Sequence, residues 1–232
     1  MKKYKKYLMI FLGLVCVFLF LGHKDQLKES IQSWGLPLIH TTVVLDPGHG
    51  GPDGGAIRGD LMEKDMTLAI SLKVRDYLSE QGVMVVMTRE TDRDLAAKGT
   101  EGLSKRKTED LHKRLEIING SQADLFVSIH LNALNETQYR GAQTFYNMQN
   151  KESEQFAKQM QASFQKNLAN TEREARPIQN VYLIKNAKVP GALAEVGFLS
   201  NESERALLAD PSYQEKIALS ICEAIALYLQ KP

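Results

Sequence analysis

Short apolar runs alternate with amphipathic segments along the first half of the chain. The runs at 42–45, 83–88 and 124–130 are rich in Val, Leu and Ile, and polar or turn-forming residues follow each of them. Between these runs, residues 66–81 and 108–119 carry apolar side chains near helical spacing. The order strand, helix, strand predicts βαβ units, in which right-handed crossovers join parallel strands. Because 83–88 is almost continuously apolar, we expect this strand to be buried on both faces.

The second half of the chain continues this alternation. We expect three further strands and two further helices: strands at 142–146, 182–184 and 192–199, and helices at 151–168 and from Asp210-Pro211 onwards. All these elements together predict a single α/β domain. Its helices would flank a twisted, mostly parallel central sheet of about six strands.

A long polar stretch, residues 89–107, follows the second predicted strand. A solvated surface loop is the simpler interpretation of this composition. A long loop at the end of a strand can also line a groove, because such loops surround the binding sites of α/β proteins. The sequence leaves both interpretations open.

The N-terminus carries four lysines before an apolar run that continues to Leu21. A basic segment before an apolar one predicts a signal peptide or an uncleaved signal anchor. The run is short for a spanning helix. It also has no clear small-residue cleavage site, and for that reason we favour the anchor. The lysines would stay in the cytoplasm and leave the remaining chain outside. We therefore assign a signal peptide or signal anchor to 1–22, a linker to 23–40 and the folded domain to 41–232.

Charge and cysteines narrow the functional classes. The 232 residues include 29 basic and 28 acidic ones, and 1–35 alone contains six lysines and two acidic residues. The remainder is therefore slightly acidic, which disfavours nucleic acid as a partner. Cys16 lies in the N-terminal apolar run and Cys222 in the last predicted helix, so no disulfide is expected.

The first predicted strand ends in a loop that places a histidine among glycines, DPGHGG at 46–51. Further glycines keep the next segment irregular until Glu63, which stands just before the first amphipathic helix. The loop would thus return a carboxylate towards His49. A plain turn or a phosphate-binding loop is the alternative, but neither G-x-G-x-x-G opening a helix nor G-K-[ST] is present.

Two further strands also carry polar side chains that could act in a site. His130 ends the third strand, and carboxyl ends of strands share one crevice in an open α/β sheet, so we expect His49 and His130 to face it together. Two histidines and Glu63 form the three-ligand set of catalytic zinc enzymes, which leaves a position for water. Glu195 lies in an apolar run, where a carboxylate is costly without a role or partner. It is a candidate general base, with an ordinary ion pair as the alternative.

Four motifs occur in order along the chain. They are LDPGHGG at 45–51, EK at 63–64, SIHLNA at 128–133 and EVGFLSN at 195–201. Together they resemble the zinc-dependent N-acetylmuramoyl-L-alanine amidases of the amidase-3 type, over the whole predicted domain. The resemblance implies that Zn²⁺ is bound by His49, Glu63 and His130. It also implies that Glu195 is the catalytic residue and that 41–232 is a zinc amidase catalytic domain.

Other residues fit this resemblance with less defined roles. Arg89 and Arg114, together with Asn119, agree with the pattern of the family. Asn132 stands just beyond a predicted ligand. Asn132 could support the metal ligands, contact the substrate or simply form part of the turn, and the sequence does not decide between these roles.

The short chain, the single N-terminal hydrophobic segment and GGPDGGA at 50–56 look most like the germination-specific, spore-cortex amidases of endospore-forming bacteria. This resemblance implies cleavage of the amide between the lactyl group of N-acetylmuramic acid and L-alanine of the peptidoglycan stem peptide. Cleavage would start the formation of muramic-δ-lactam, which a separate deacetylase would complete. The protein would be extracytoplasmic, on the spore cortex side, with its N-terminal segment in the membrane. The resemblance leaves room for an activator or partner protein.

Two other functions stay open on the residues alone. A non-catalytic envelope module could keep this fold in order to bind glycan strands or regulate another hydrolase. A zinc peptidase could instead cut within the stem peptide, although the chain has no H-E-x-x-H motif.

Overall fold

The structure is a computed structural model that describes residue 38 and residues 40–230. The predicted signal peptide or anchor at 1–22, and nearly all of the predicted linker at 23–40, lie outside the described residues. Within the part that is described, no helix has both the length and the apolar character needed to cross a membrane. The proposed division of the chain therefore stays a prediction.

A six-stranded sheet forms the centre of the domain. In spatial order its strands are β4 (Met84–Met87), β1 (Thr42–Pro47), β5 (Leu125–Asn132), β8 (Gly191–Phe198), β6 (Gln143–Tyr146) and β7 (Arg176–Pro177). All neighbouring pairs are parallel except β8 and β6, which run antiparallel. The predicted mostly parallel sheet is confirmed. Two very short strands, β2 (Ile57–Arg58) and β3 (Leu61–Met62), form a separate antiparallel pair.

Helices cover both faces of the sheet. In chain order they are α1 (Glu63–Glu80), α2 (Leu103–Gly120), α3 (Lys151–Leu168), α4 (Tyr182–Asn186), α5 (Glu202–Ala209) and α6 (Pro211–Leu229). In β1, Val43 and Leu45 belong to a hydrophobic cluster with α1, α3 and α6, whereas Val44 belongs to a second cluster with α2 and α4. Successive side chains of a strand point to opposite faces, so β1 is buried from both sides.

The two predicted helices of the second half have the expected bounds. α3 matches 151–168 and buries Phe156, Met160 and Phe164 completely. α6 begins with Pro211 at its first turn, and the Asp210 side chain accepts a hydrogen bond from the backbone of Ser212.

The second predicted strand lies at the edge of the sheet. Within the described sheet β4 pairs with β1 alone, and Met84 is 66% exposed. The expectation that 83–88 is buried on both faces is therefore wrong. An apolar run shows that a strand is hydrophobic, but the order of strands depends on contacts between distant parts of the chain.

Two other boundaries differ from the sequence prediction. Residues 182–184 belong to the short helix α4 rather than to a strand, because three apolar residues fit either element and packing decides between them. The helix expected at 108–119 begins earlier, at Leu103, after Gly102 with a positive φ of 86°. The polar stretch 89–107 therefore ends inside a helix.

Candidate metal centre

Parallel pairing brings the ends of three strands to one edge of the sheet. His130 in β5 is the direct neighbour of Glu195 in β8, and Pro47 at the end of β1 pairs with Ile129. His49 follows two residues after Pro47. The strand ends that carry or precede His49, His130 and Glu195 are therefore neighbours, as predicted.

Glu63 reaches the same edge from the following loop. The segment between His49 and Glu63 folds back through the β2–β3 pair. The Glu63 backbone N–H donates to the carbonyl of Ala56 at 2.9 Å, and the N–H of Lys64 donates to Gly54 at 3.2 Å. These two bonds close the loop and make Glu63 the first residue of α1.

The three predicted ligands converge. Glu63 Oε1 lies 3.2 Å from His49 Nε2 and 3.0 Å from His130 Nδ1. The ligand atoms of the three side chains all lie within 4.8 Å of one another, close enough to hold one metal ion. Two imidazole nitrogens and a carboxylate oxygen suit a divalent transition metal.

Two glycines make this convergence sterically possible. A Cβ on Gly48 would lie 2.4 Å from the His130 ring, and a Cβ on Gly55 would lie 2.5 Å from Glu63 Oε2. Gly55 also has a positive φ of 66°. Gly48 and Gly55 therefore leave the space that the side chains of His130 and Glu63 occupy. His49 has a positive φ of 62°, which is uncommon for a residue with a side chain.

Glu63 is fixed on all sides. It is only 4% exposed, its Oε1 accepts the backbone N–H of Leu131 at 3.0 Å, and its Oε2 accepts that of Ala56 at 2.8 Å. Burial by itself raises the pKa of Glu63, but the contacts with His130 and His49 outweigh burial and hold the pKa well below its usual range. The carboxylate is thus charged and oriented for a cation.

Asp53 stands behind His49, and the sequence analysis did not identify it. Its Oδ2 lies 3.0 Å from His49 Nδ1, but that nitrogen has no well-aligned hydrogen bond among the described residues. Lys107 Nζ lies 3.1 Å from the same oxygen. Burial lowers the pKa of His49, but Asp53 and Glu63 outweigh burial and raise it to about 9. A positive charge is therefore favoured here, as a proton or a metal ion.

Glu195 differs from Glu63 in its surroundings. Its Oε2 is buried and has no hydrogen-bond partner among the described residues. Burial raises the pKa of Glu195 to about 7, against the opposing charge of His130. Among the described residues, the cationic groups that lower its pKa are the candidate ligands His130 and His49, and no lysine or arginine acts on it. An ordinary ion pair therefore has no support at this position.

The polar stretch after β4 contributes to a groove beside the centre. A cavity of about 350 Å³ is lined by Pro52, Asp53, Asp94, Leu103, Ser104, Arg106, Lys107 and Asp110. Arg106 binds Asp94 through two hydrogen bonds of 2.6 and 2.8 Å, which ties the loop to α2. Part of 89–107 thus lines a groove, while residues 91–93 and 97–99 are exposed to solvent, so each interpretation holds for part of the stretch.

Asn132 connects two strand ends at this edge. Its carbonyl accepts the N–H of Leu199 at 2.8 Å, and it pairs with Phe198 beyond an irregularity in the β5–β8 register. This backbone contact supports the role in the turn, and no described contact tests the other two.

Comparison with known proteins agrees with this geometry. The sequence pattern of the amidase-3 family, N-acetylmuramoyl-L-alanine amidase, matches residues 43–227. The chain belongs to this amidase family. The family resemblance predicted from the four motifs is therefore confirmed.

Similar proteins include a germination-specific amidase and two amidases of known structure. The chain is 49% identical to the germination-specific N-acetylmuramoyl-L-alanine amidase of Bacillus subtilis, over 98% of this chain and 96% of that protein. The CwlD amidase of Clostridioides difficile, solved in complex with the GerS lipoprotein, has a TM-score of 0.80 and 42% identity over 82% of this chain and 98% of that one. The catalytic domain of CwlV from Bacillus (Paenibacillus) polymyxa var. colistinus has a TM-score of 0.72 and 33% identity, over 82% and 98%.

Proposed function

We propose that this amidase is a zinc enzyme that hydrolyses the amide between the lactyl group of N-acetylmuramic acid and L-alanine of the stem peptide. The observation that carries the proposal is the convergence of His49, Glu63 and His130, together with the buried Oε2 of Glu195, which has no hydrogen-bond partner among the described residues. Family membership supports the substrate, and the open edge of the sheet suits a polymer.

The donor set fits zinc. His49 Nε2, His130 Nδ1 and Glu63 Oε1 would hold the ion, which leaves a position for water as in catalytic zinc sites. Bound zinc would polarise the scissile carbonyl and lower the pKa of a water from its ordinary high value to roughly 7. The charged Glu63 would balance part of the metal charge, and the two histidines would bind as neutral rings.

Glu195 would carry the proton of the reaction. Its carboxylate would take a proton from the attacking water as the new C–O bond forms. The same carboxyl would then pass that proton to the alanine nitrogen as the C–N bond breaks. The products are a free lactyl carboxylic acid on the sugar and a stem peptide with a free N-terminal amine.

We further propose a role in spore cortex maturation outside the cell membrane. The 49% identity to a germination-specific amidase supports this role. The complex of CwlD with a lipoprotein in C. difficile supports a partner protein here too. A deacetylase acting on the same sugar would complete muramic-δ-lactam, and the N-terminal segment would serve as anchor or export signal.

Muropeptide analysis tests the reaction. Peptidoglycan treated with the purified full-length protein and zinc should release stem peptides that begin with free L-alanine. Intact lactyl–alanine bonds with zinc bound would contradict the proposal and favour a glycan-binding module. New ends within the stem peptide would favour a peptidase. Cortex from a strain without this gene should lack muramic-δ-lactam if the spore role is correct.

A further inference from the structure

Two arginines lie fully buried behind the loop that carries His49. Arg89 and Arg114 are each only 1% exposed. Both donate to the same backbone carbonyl, that of Pro47, at 3.0 and 2.7 Å. A buried guanidinium destabilises a protein unless its donors are satisfied, so these contacts determine where the arginines can lie.

Arg114 holds the residue that supplies the first candidate ligand. Its Nη2 donates to the carbonyl of His49 at 2.6 Å. Two carboxylates fix the guanidinium from behind: Asp110 accepts from Nε and Asp46 from Nη1, both at 2.8 Å. The planar fork is thus anchored on one side and bound to the loop on the other.

Arg89 joins the segments of two candidate ligands. Its Nη2 donates to the carbonyl of Gly48 at 2.9 Å and to that of Lys64 at 2.7 Å. Gly48 directly precedes His49, and Lys64 directly follows Glu63. A single nitrogen therefore sets the spacing between the backbones that carry the imidazole and the carboxylate.

The loop needs such support because its conformation is unfavourable. His49 has the positive φ of 62°, and a residue with a side chain keeps that conformation only when its surroundings enforce it. Gly51, two residues further along the loop, is also held by hydrogen bonds. Its N–H donates to the Asp92 carboxylate and its carbonyl accepts from Lys64 Nζ, both at 2.8 Å.

We propose that Arg89 and Arg114 are positioning residues for the metal centre. They hold the carbonyls around His49 and Glu63 so that both side chains face His130 before any metal arrives. Zinc as the metal rests on the proposed function. Lysine could not replace either arginine, because one ammonium cannot reproduce a rigid fork with several donors.

The test compares zinc affinity in Arg89→Lys and Arg114→Lys with the wild type, by competition against a chelator of known affinity. We expect roughly 10- to 100-fold weaker zinc binding, the usual effect of removing outer support from metal ligands, in variants with native circular dichroism. The value of kcat measured with saturating zinc should also fall, since His49 is less well placed.

Two variants serve as controls. Arg75→Lys changes an arginine on α1 that pairs with Asp76 and Glu90, and it should bind zinc like the wild type. Ile225→Val trims a fully buried core residue on α6. It should lower the melting temperature without changing zinc affinity, which separates positioning from general loss of stability.

Folded lysine variants that bind zinc as tightly as the wild type would overturn the proposal. If either variant does not fold, Thr67→Val gives the decision. The buried Thr67 hydroxyl accepts from Arg89 Nη2 at 3.2 Å and donates to the Gly48 carbonyl at 2.9 Å, so valine, which has the same shape, removes one contact that links the arginine to this loop. Weaker zinc binding in that variant supports positioning, and unchanged binding overturns it. A wild-type protein that binds zinc without cleaving peptidoglycan would contradict the proposed function alone.

Discussion

Two glutamates stand at the same edge of the sheet, and their surroundings separate their chemistry. Both oxygens of Glu63 accept backbone N–H groups, and Oε1 also contacts two imidazoles. Glu195 instead has a buried oxygen without a partner, and burial raises its pKa to about 7. A carboxylate that stays charged suits a ligand, whereas one that readily gains and loses a proton suits acid–base catalysis.

Exchanging Glu195 for Gln should therefore separate binding from catalysis. We expect Glu195→Gln to keep zinc but lose at least about 100-fold in kcat, because the amide cannot take the water proton. His49→Ala and His130→Ala should lose zinc and activity together. Zinc content after gel filtration and release of muropeptide products measure the two properties. If Glu195→Gln loses zinc, Glu195 would have to be assigned as the metal ligand and Glu63 as the general base.

The glycines of the loop allow a matched comparison. Gly55 and Gly59 have nearly the same positive φ, 66° and 60°, but a Cβ on Gly55 would meet Glu63 and His49 while one on Gly59 would meet nothing within 4 Å. Gly55→Ala should therefore lower zinc affinity in a chelator competition, because it displaces Glu63. Gly59→Ala shares the backbone strain, about 1–2 kcal/mol, and should keep wild-type affinity. Equal affinities in both variants would show that the Gly55 contact is unimportant.

At the level of elements, the end of β1 connects three others. The Asp46 carboxylate accepts hydrogen bonds from Thr88 after β4 at 2.7 Å, Ser128 in β5 at 2.6 Å and Arg114 in α2 at 2.8 Å. It is 1% exposed. The buried charge of Asp46 thus connects β4, β5 and α2 to the end of β1, directly before the loop that carries His49.

This arrangement predicts a pH-dependent stability. Burial raises the pKa of Asp46, but Arg114, Ser128 and Thr88 outweigh burial and hold it below the ordinary value of 3.8. A depressed pKa in the folded state adds stability above the unfolded pKa, and that stability is lost as the pH falls through the folded value. Asp46→Asn should lower the free energy of unfolding at pH 7 by about 3 kcal/mol, and the difference should shrink below about pH 4.

Urea unfolding of both proteins at several pH values measures this difference. Asp76→Asn is the control, because Asp76 forms an exposed ion pair with Arg75 on α1 and should change stability little at any pH. A difference between wild type and Asp46→Asn that persists unchanged in acid would show that loss of the charge is not the cause.

The sequence predicts these elements unevenly, for physical reasons. The carboxyl end of β1 and the first turn of α6 could be located because turn residues and a proline stop or start the backbone there. The edge position of β4 and the helical state of 182–184 could not, since both depend on which distant segments pack against them.

The residues of the candidate site also differ in how well the sequence predicts them. The side chains that would contact metal or water could be predicted, because histidines at strand ends and a glutamate in an apolar run are unusual positions. The supporting arginines could be matched to the family pattern but not given a role. Arg89 lies in a polar stretch and Arg114 on a charged helix, and only the folded chain surrounds them with carboxylates and carbonyls.

On the scale of the whole domain, the hydrophobic core lies on the two faces of the sheet, whereas the candidate ligands lie at the ends of its strands. The hydrophobic clusters on its two faces contain none of the candidate ligands. The candidate metal centre, the groove beside α2 and the loop before β6 all lie at the edge where the parallel strands end. β1 begins at Thr42 at the opposite edge.

This separation predicts that removing zinc abolishes activity without unfolding the protein. Since the core is complete without the ligands, chelation should leave native circular dichroism and a cooperative thermal transition. Zinc at 100 times its dissociation constant should add about 2.7 kcal/mol of stability, because it binds only the folded state. His49→Ala, as control, should melt at the same temperature with and without zinc. A zinc-free protein that is unfolded would instead make the metal a structural ion, on which the fold itself depends.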